Sequence, residues 1–148
     1  MLETGNESLV GWLHRDAEVA CANLEQSVRF FSEILGLPII ARNSTSARLD
    51  GGAGRWLTLW RTSPLDMAEM SGAEHQTGVT FEVGDLYATY NDLLAQGLEF
   101  SSLPCRQPWG HVMVNLIDPD RNRIMLVQRR QAARDWRHAP LLGDSAAA

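Results

Sequence analysis

The chain has 148 residues, enough for one ordinary domain with a core, and its 45% hydrophobic and 21% charged content excludes an intrinsically disordered protein. No apolar run approaches the roughly 20 residues of a membrane-crossing helix, and the start, MLETGNESLVGWLHRD, lacks the basic and apolar stretches of a secretory signal. A formal net charge of -5, with basic clusters only at Arg121-Asn122-Arg123 and Arg129-Arg130, argues against a nucleic-acid partner.

In chain order, residues 17–22 (AEVACA) alternate as a strand with one face buried. Asn23 then opens a helix, with Gln26 placed as in a capping box. Leu24, Val28, Phe31 and Leu35, with Phe30 and Ile34 beside them, form one apolar stripe, and Gly36 ends the helix at the left-handed position. Short strands follow: LPIIAR, about TSARLD, and RWLTLWR, with Asp50-Gly51-Gly52 as the hairpin turn. Residues 78–83 (GVTFEV) restart the pattern. Asp85 caps a helix carrying Leu86, Tyr90, Leu93 and Leu94, which Gly97 ends. LEFSSL, HVMVNLI and RIMLVQ complete the second half, with Asp118-Pro119-Asp120 as the last turn.

The grammar βαβββ therefore occurs twice, predicting an α+β domain of two βαβββ modules that form a cupped mixed sheet. Module one spans about 15–62 and module two about 77–128, with an N-terminal extension 1–14 and a C-terminal tail 129–148. Leu9, Val10, Trp12, Leu13 and Trp136 are expected to pack against a partner. Cys21 and Cys105 sit in strand-like contexts and read as buried or half-buried thiols of a reducing, cytoplasmic protein.

Asn23-Leu24-Glu25-Gln26-Ser27-Val28-Arg29-Phe30-Phe31 with Leu35-Gly36-Leu37 resembles the opening of glyoxalase and bleomycin-resistance type proteins of the vicinal oxygen chelate superfamily. Phe81-Glu82-Val83-Gly84-Asp85-Leu86 is similar to the start of their second module. Trp109-Gly110-His111 and Asp118-Pro119-Asp120-Arg121-Asn122-Arg123-Ile124 are similar to their closing hairpin, with Arg121 where that family usually has glycine. The resemblance implies a ligand-holding cup and a homodimer. It leaves function open, because the family includes isomerases, dioxygenases, epimerases, thiol transferases and metal-free drug-binding proteins.

Metal-dependent members place four ligands in the cup. Counting from the helix caps and the final turn brings those positions to Asp16, Thr58, Gly78 and Met125, a poor donor set for a divalent ion. Asp16, Glu18 and Glu82 are the weak alternative ligands. Strand alternation instead assigns Glu18, Trp56, Thr58, Trp60, Thr80, Glu82, Arg123 and Met125 to an aromatic and acidic cup. Its tryptophans are suited to planar or cationic ligands, and also to core or dimer contacts. His111, at a strand entrance, reads as a rim residue or a general acid–base. His14, His75 and His138 show no ligand spacing, and Cys105 has no evident base partner.

The expected function is metal-free binding of a small aromatic or cationic molecule, of the bleomycin-resistance type. A divalent-metal-dependent lyase, isomerase or dioxygenase is the alternative, and an interaction module with a plugged cup the third.

Overall fold

The computed structural model describes residues 10–63, 65–66 and 75–129; Leu9, Trp136 and His138 lie outside them. Strand β1 is Trp12–Leu13 and β2 is Ala17–Cys21, followed by helix α1 at Leu24–Arg29. Strands β3 (Ile39–Arg42), β4 (Ser46–Gly52) and β5 (Arg55–Arg61) complete the first module. The second contains β6 (His75–Glu82), α2 (Leu86–Ala95), β7 (Glu99–Phe100), β8 (Cys105–Arg106), β9 (Val112–Ile117) and β10 (Asn122–Gln128).

Each module makes its own sheet, and the two sheets follow one plan. The first runs β2-β5-β4-β3; the second runs β6-β10-β9-β7, extended by β1 beside β6 and β8 beside β9. In both, the module's first strand lies parallel to its last, and the remaining pairs are antiparallel.

Local chemistry explains the helices. Asn23 accepts a hydrogen bond from the Gln26 backbone N–H at 3.0 Å, and Asp85 does the same for Ala88 at 3.1 Å, each satisfying a donor that the first turn leaves orphaned. After Arg29 the helix widens into a π-helical stretch, Phe30–Ile34, which buries Phe30 and Phe31 together, edge to face at 4.9 Å. On α2, Leu86 and Leu93 are buried and Tyr90 packs on Phe100, but Leu94 is exposed. One residue past Leu93 lies about 100° around the helix, so Leu94 falls off the stripe.

Several boundaries move. The β4–β5 turn is not Asp50-Gly51-Gly52, because Ala53 and Gly54 carry positive φ of 55° and 77°, the pair that a tight hairpin requires. LEFSSL shrinks to the two residues of β7, with β8 as a separate short strand. β6 begins at His75 and passes a bulge opposite Arg123–Met125, where Gly78 has φ 80°. Arg121 itself takes the left-handed conformation of the last turn, with φ 70°.

One core joins the modules, with Val19, Phe31 and Leu57 from the first clustered with Phe81, Leu116 and Ile124 from the second. Two devices pin the seam. Asp120 Oδ2 accepts from the Ala22 N–H and the Ser27 hydroxyl, while Asn122 Nδ2 donates to the Ala20 carbonyl. On the other side, residues 10–14 form a strap along β6, with Val10 and Leu13 buried in their own chain. Arg55 Nη1 donates to the carbonyls of Leu13 and His14, at 3.2 and 2.8 Å, and so holds the strap to module one.

Candidate functional site

The helix-free face of the first sheet is a grid fixed by register. Glu18 lies beside Thr58, which lies beside Arg48; one step along, Ala20, Trp60 and Ser46 form the next row. Alternation turns Val19, Leu57, Leu59 and Leu49 into the core and leaves this face open, with Trp56 41% and Trp60 44% exposed. Thr58, at the centre of the grid, is only 8% exposed.

Hydrogen bonds set the orientation of these side chains. Trp60 Nε1–H donates to Glu18 Oε1 at 3.2 Å, and Asp16 Oδ1 accepts the Trp56 backbone N–H at 2.8 Å. Arg48 lies over the Trp56 ring, 5.3 Å from its centroid. Asp16, Ala17, Glu18, Arg48, Trp56 and Thr58 line a cavity of about 320 Å³. Arg48 is the member that the sequence reading missed. Its signal was available in the alternation of Ser46, Arg48 and Asp50 on β4, opposite buried Ala47 and Leu49.

Thr80, Glu82, Arg123 and Met125 do not line this cavity. They belong to the second sheet, where Met125 pairs with Thr80 on one side and Asn115 on the other. Glu82 is engaged: its Oε2 lies 2.7 Å from His14 Nδ1 and its Oε1 2.9 Å from Arg129 Nε. Burial pushes the Glu82 carboxyl up, but hydrogen bonds and charge from His14 and Arg129 outweigh it and hold the group below the ordinary glutamate value. The expected acidic wall is therefore divided, with Glu18 beside a tryptophan and Glu82 locked to the strap. Both partners of Glu82 lie outside the expected modules, and from sequence His14 shows only a lack of ligand spacing and Arg129 only a place in a basic cluster. His111 sits edge-on to Trp109 at 6.5 Å, just before β9.

Among the described residues no three His, Cys, Asp or Glu side chains come together as a metal site. Asp16 and Glu18 line the cavity of the first sheet while Glu82 is held on the second by His14 and Arg129, so the three do not form one donor set. Cys21 is buried, and burial pushes its thiol up to about 12, which makes it inert as a nucleophile at neutral pH. Cys105, expected to be at least half-buried, is exposed because β8 is a short edge strand. A larger cleft of about 410 Å³ lies between α1 and the β9–β10 turn. Arg121 is ion-paired to Glu99 there, and Asp118 accepts N–H groups of its own turn, so we read that cleft as a seam between modules.

Residues 14–126 match the family model of the glyoxalase/bleomycin resistance protein/dioxygenase superfamily, and the chain belongs to that superfamily. Solved structures of similar fold include a bleomycin resistance determinant encoded on the transposon Tn5, at 23% identity and TM-score 0.63, covering 79% of this chain and 98% of that one. TnmS3, an antibiotic binding protein from Streptomyces sp. CB03234, is similar at 24% identity and TM-score 0.62, covering 76% and 92%. Lactoylglutathione lyase from Agrobacterium tumefaciens is similar at 16% identity and TM-score 0.62, covering 77% and 91%. No curated protein matches the sequence. Among the described residues no helix is long and apolar enough to cross a membrane.

Proposed function

We propose that this chain is a small-molecule-binding protein of the bleomycin-resistance kind, which holds an aromatic or cationic compound against Trp56 and Trp60 without a catalytic metal. The observation that carries this reading is the pair of half-exposed indoles flanking shielded Thr58, with carboxylates beside them. Flat π faces and nearby negative charge attract planar and cationic groups. The cavity's volume suits a small ligand or one part of a larger one. Exposed Trp12, Ile39 and Ile40 support assembly as a homodimer, in which a second copy would cover apolar surface that one chain leaves open. One buried and one exposed thiol, with no disulfide between them, support a cytoplasmic location.

Titration with planar cations tests the reading. Saturable quenching of tryptophan fluorescence is expected, weakened about tenfold or more in Trp60→Ala. No quenching by planar cations or by planar compounds of other charge would overturn it. The second reading, a divalent-metal-dependent lyase, isomerase or dioxygenase, has fold similarity to a lactoylglutathione lyase in its favour. Near-stoichiometric uptake of Zn²⁺, Ni²⁺, Mn²⁺ or Fe²⁺ by purified protein, lost in Glu18→Gln, would favour that reading instead.

A further inference from the structure

The chemistry of the first sheet's open face is not purely acidic, and the difference narrows the ligand. Glu18, Thr58 and Arg48 stand side by side on three adjacent strands. Neighbouring strands lie about 4.8 Å apart, so the carboxylate strand and the guanidinium strand are separated by about 10 Å, with Thr58 between them. Trp56 and Trp60 bracket that row on the central strand.

Arg48 makes no ion pair among the described residues, although Asp16 and Glu18 line the same cavity. Its one recorded partner is the Trp56 ring. The guanidinium lies over that ring and donates no hydrogen bond among the described residues, so its N–H donors stay available, and such a fork recognises a carboxylate in a two-pronged fashion. On the opposite side, Asp16 and Glu18 each commit one oxygen to a local N–H and keep the second without a partner among the described residues. A purely cationic ligand meets like charge at Arg48, and a purely anionic one meets two carboxylates. A ligand carrying both charges satisfies both walls.

We propose that the cavity selects a planar zwitterion, its ring system against Trp56, its ammonium toward Asp16 and Glu18 and its carboxylate on Arg48, which makes Arg48 the specificity-determining residue. The proposal rests on the small-molecule-binding reading above and adds an anionic requirement to it.

Isothermal titration with three probes that share one ring system tests it: aminomethyl-naphthoate (zwitterion), naphthylmethylamine (cation) and naphthoate (anion). The zwitterion is expected to bind about tenfold or more tighter than either singly charged probe, the scale of one charge-assisted hydrogen-bonded contact. Arg48→Ala and Arg48→Gln should erase its advantage over the cation while leaving the cation's own affinity equal or higher. Glu18→Gln should erase its advantage over the anion. Arg48 is exposed, and unchanged thermal midpoints will confirm that the variants fold. Affinities within about twofold across the three probes, or an equal loss for all of them in Arg48→Ala, would overturn the zwitterion proposal. Planar cations that quench while aminomethyl-naphthoate fails to bind would overturn it alone. If neither the naphthalene probes nor the planar cations bind, the small-molecule reading falls as well.

Discussion

Arg121 holds a backbone conformation that its side chain resists. At φ 70° its Cβ crowds the backbone, at a cost on the order of 1 kcal/mol that glycine would not incur. Arg121 Nη1 pairs with Glu99 Oε1 at 2.7 Å, but both side chains are more than half exposed, where such pairs contribute little. Arg121→Gly is therefore expected to raise the urea midpoint, by the equivalent of about 0.5 kcal/mol; a lowered midpoint would mean that the ion pair holds the turn. Two carboxyls titrate with opposite sign. Burial pushes the Asp118 carboxyl up to about 6, against hydrogen bonds from Asn122 and Asp120 that favour its charge. Its folded value lies above the ordinary 3.8, so its contribution is fully present below about pH 4 and lost as pH rises through about 6. Glu82 is held low, so its contribution is present above the ordinary glutamate range and lost as pH falls. Asp118→Asn should flatten the stability profile between about pH 4 and 6, removing a decline on the order of 2 kcal/mol that urea midpoints of the parent are expected to show. An unchanged slope would show that Asp118 does not titrate in that window.

Among the elements, the strap of residues 10–14 depends on closeness that only missing side chains permit. A Cβ on Gly11, at φ 69°, would overlap the Glu82 carbonyl, and one on Gly52 would meet Trp12 Cβ at 2.9 Å. Gly11→Ala is expected to cost more than about 2 kcal/mol and to increase amide exchange along β1 and β6. Gly84→Ala, where nothing lies within 4 Å and φ is not positive, is the control and should stay within about 0.5 kcal/mol. If the two behave alike, the strap is not held by that approach. Most elements were legible because their signals are local: the Asn23 and Asp85 caps, the positive-φ glycines at 36 and 97, and the RWLTLWR strand all lie where the sequence places them. The strap was not. Trp12–Leu13 is too short to carry a period of two, and it becomes a strand only because β6 has an open edge.

For the whole molecule, the shared core has a mechanical consequence. Phe81, Leu116 and Ile124 pack in the same cluster as Phe31 and Leu57, and Asp120 and Asn122 tie the last hairpin to the start of module one. Unfolding is expected to be a single transition, with tryptophan fluorescence and far-ultraviolet circular dichroism coinciding in urea. Two separated transitions would show that the modules are independent. The candidate site obeys the opposite logic, since its recorded contacts stay within module one. Of the residues that sequence reading assigned to one cup, Glu18, Trp56, Thr58 and Trp60 lie on the first sheet and Thr80, Glu82, Arg123 and Met125 on the second. Repetition in a sequence shows that two modules are equivalent; it carries no record of whether their open faces converge.

By itself, then, the sequence determined what depends on neighbours along the chain: the doubled βαβββ order, the helix caps, the faces of each strand, and the two tryptophans beside Glu18. These follow from φ and ψ preferences and from periods of 2 and 3.6, which act over a few residues. The tertiary structure decided what depends on charges and edges meeting across the fold. It gave Glu82 to His14 and Arg129, laid Arg48 on Trp56, and left Glu18 and Asp16 each with one oxygen that has no partner among the described residues. Coulomb and hydrogen-bond energies depend on separation in space. Residues as far apart in sequence as Glu82 and His14 therefore settle each other's chemistry only once the chain has folded.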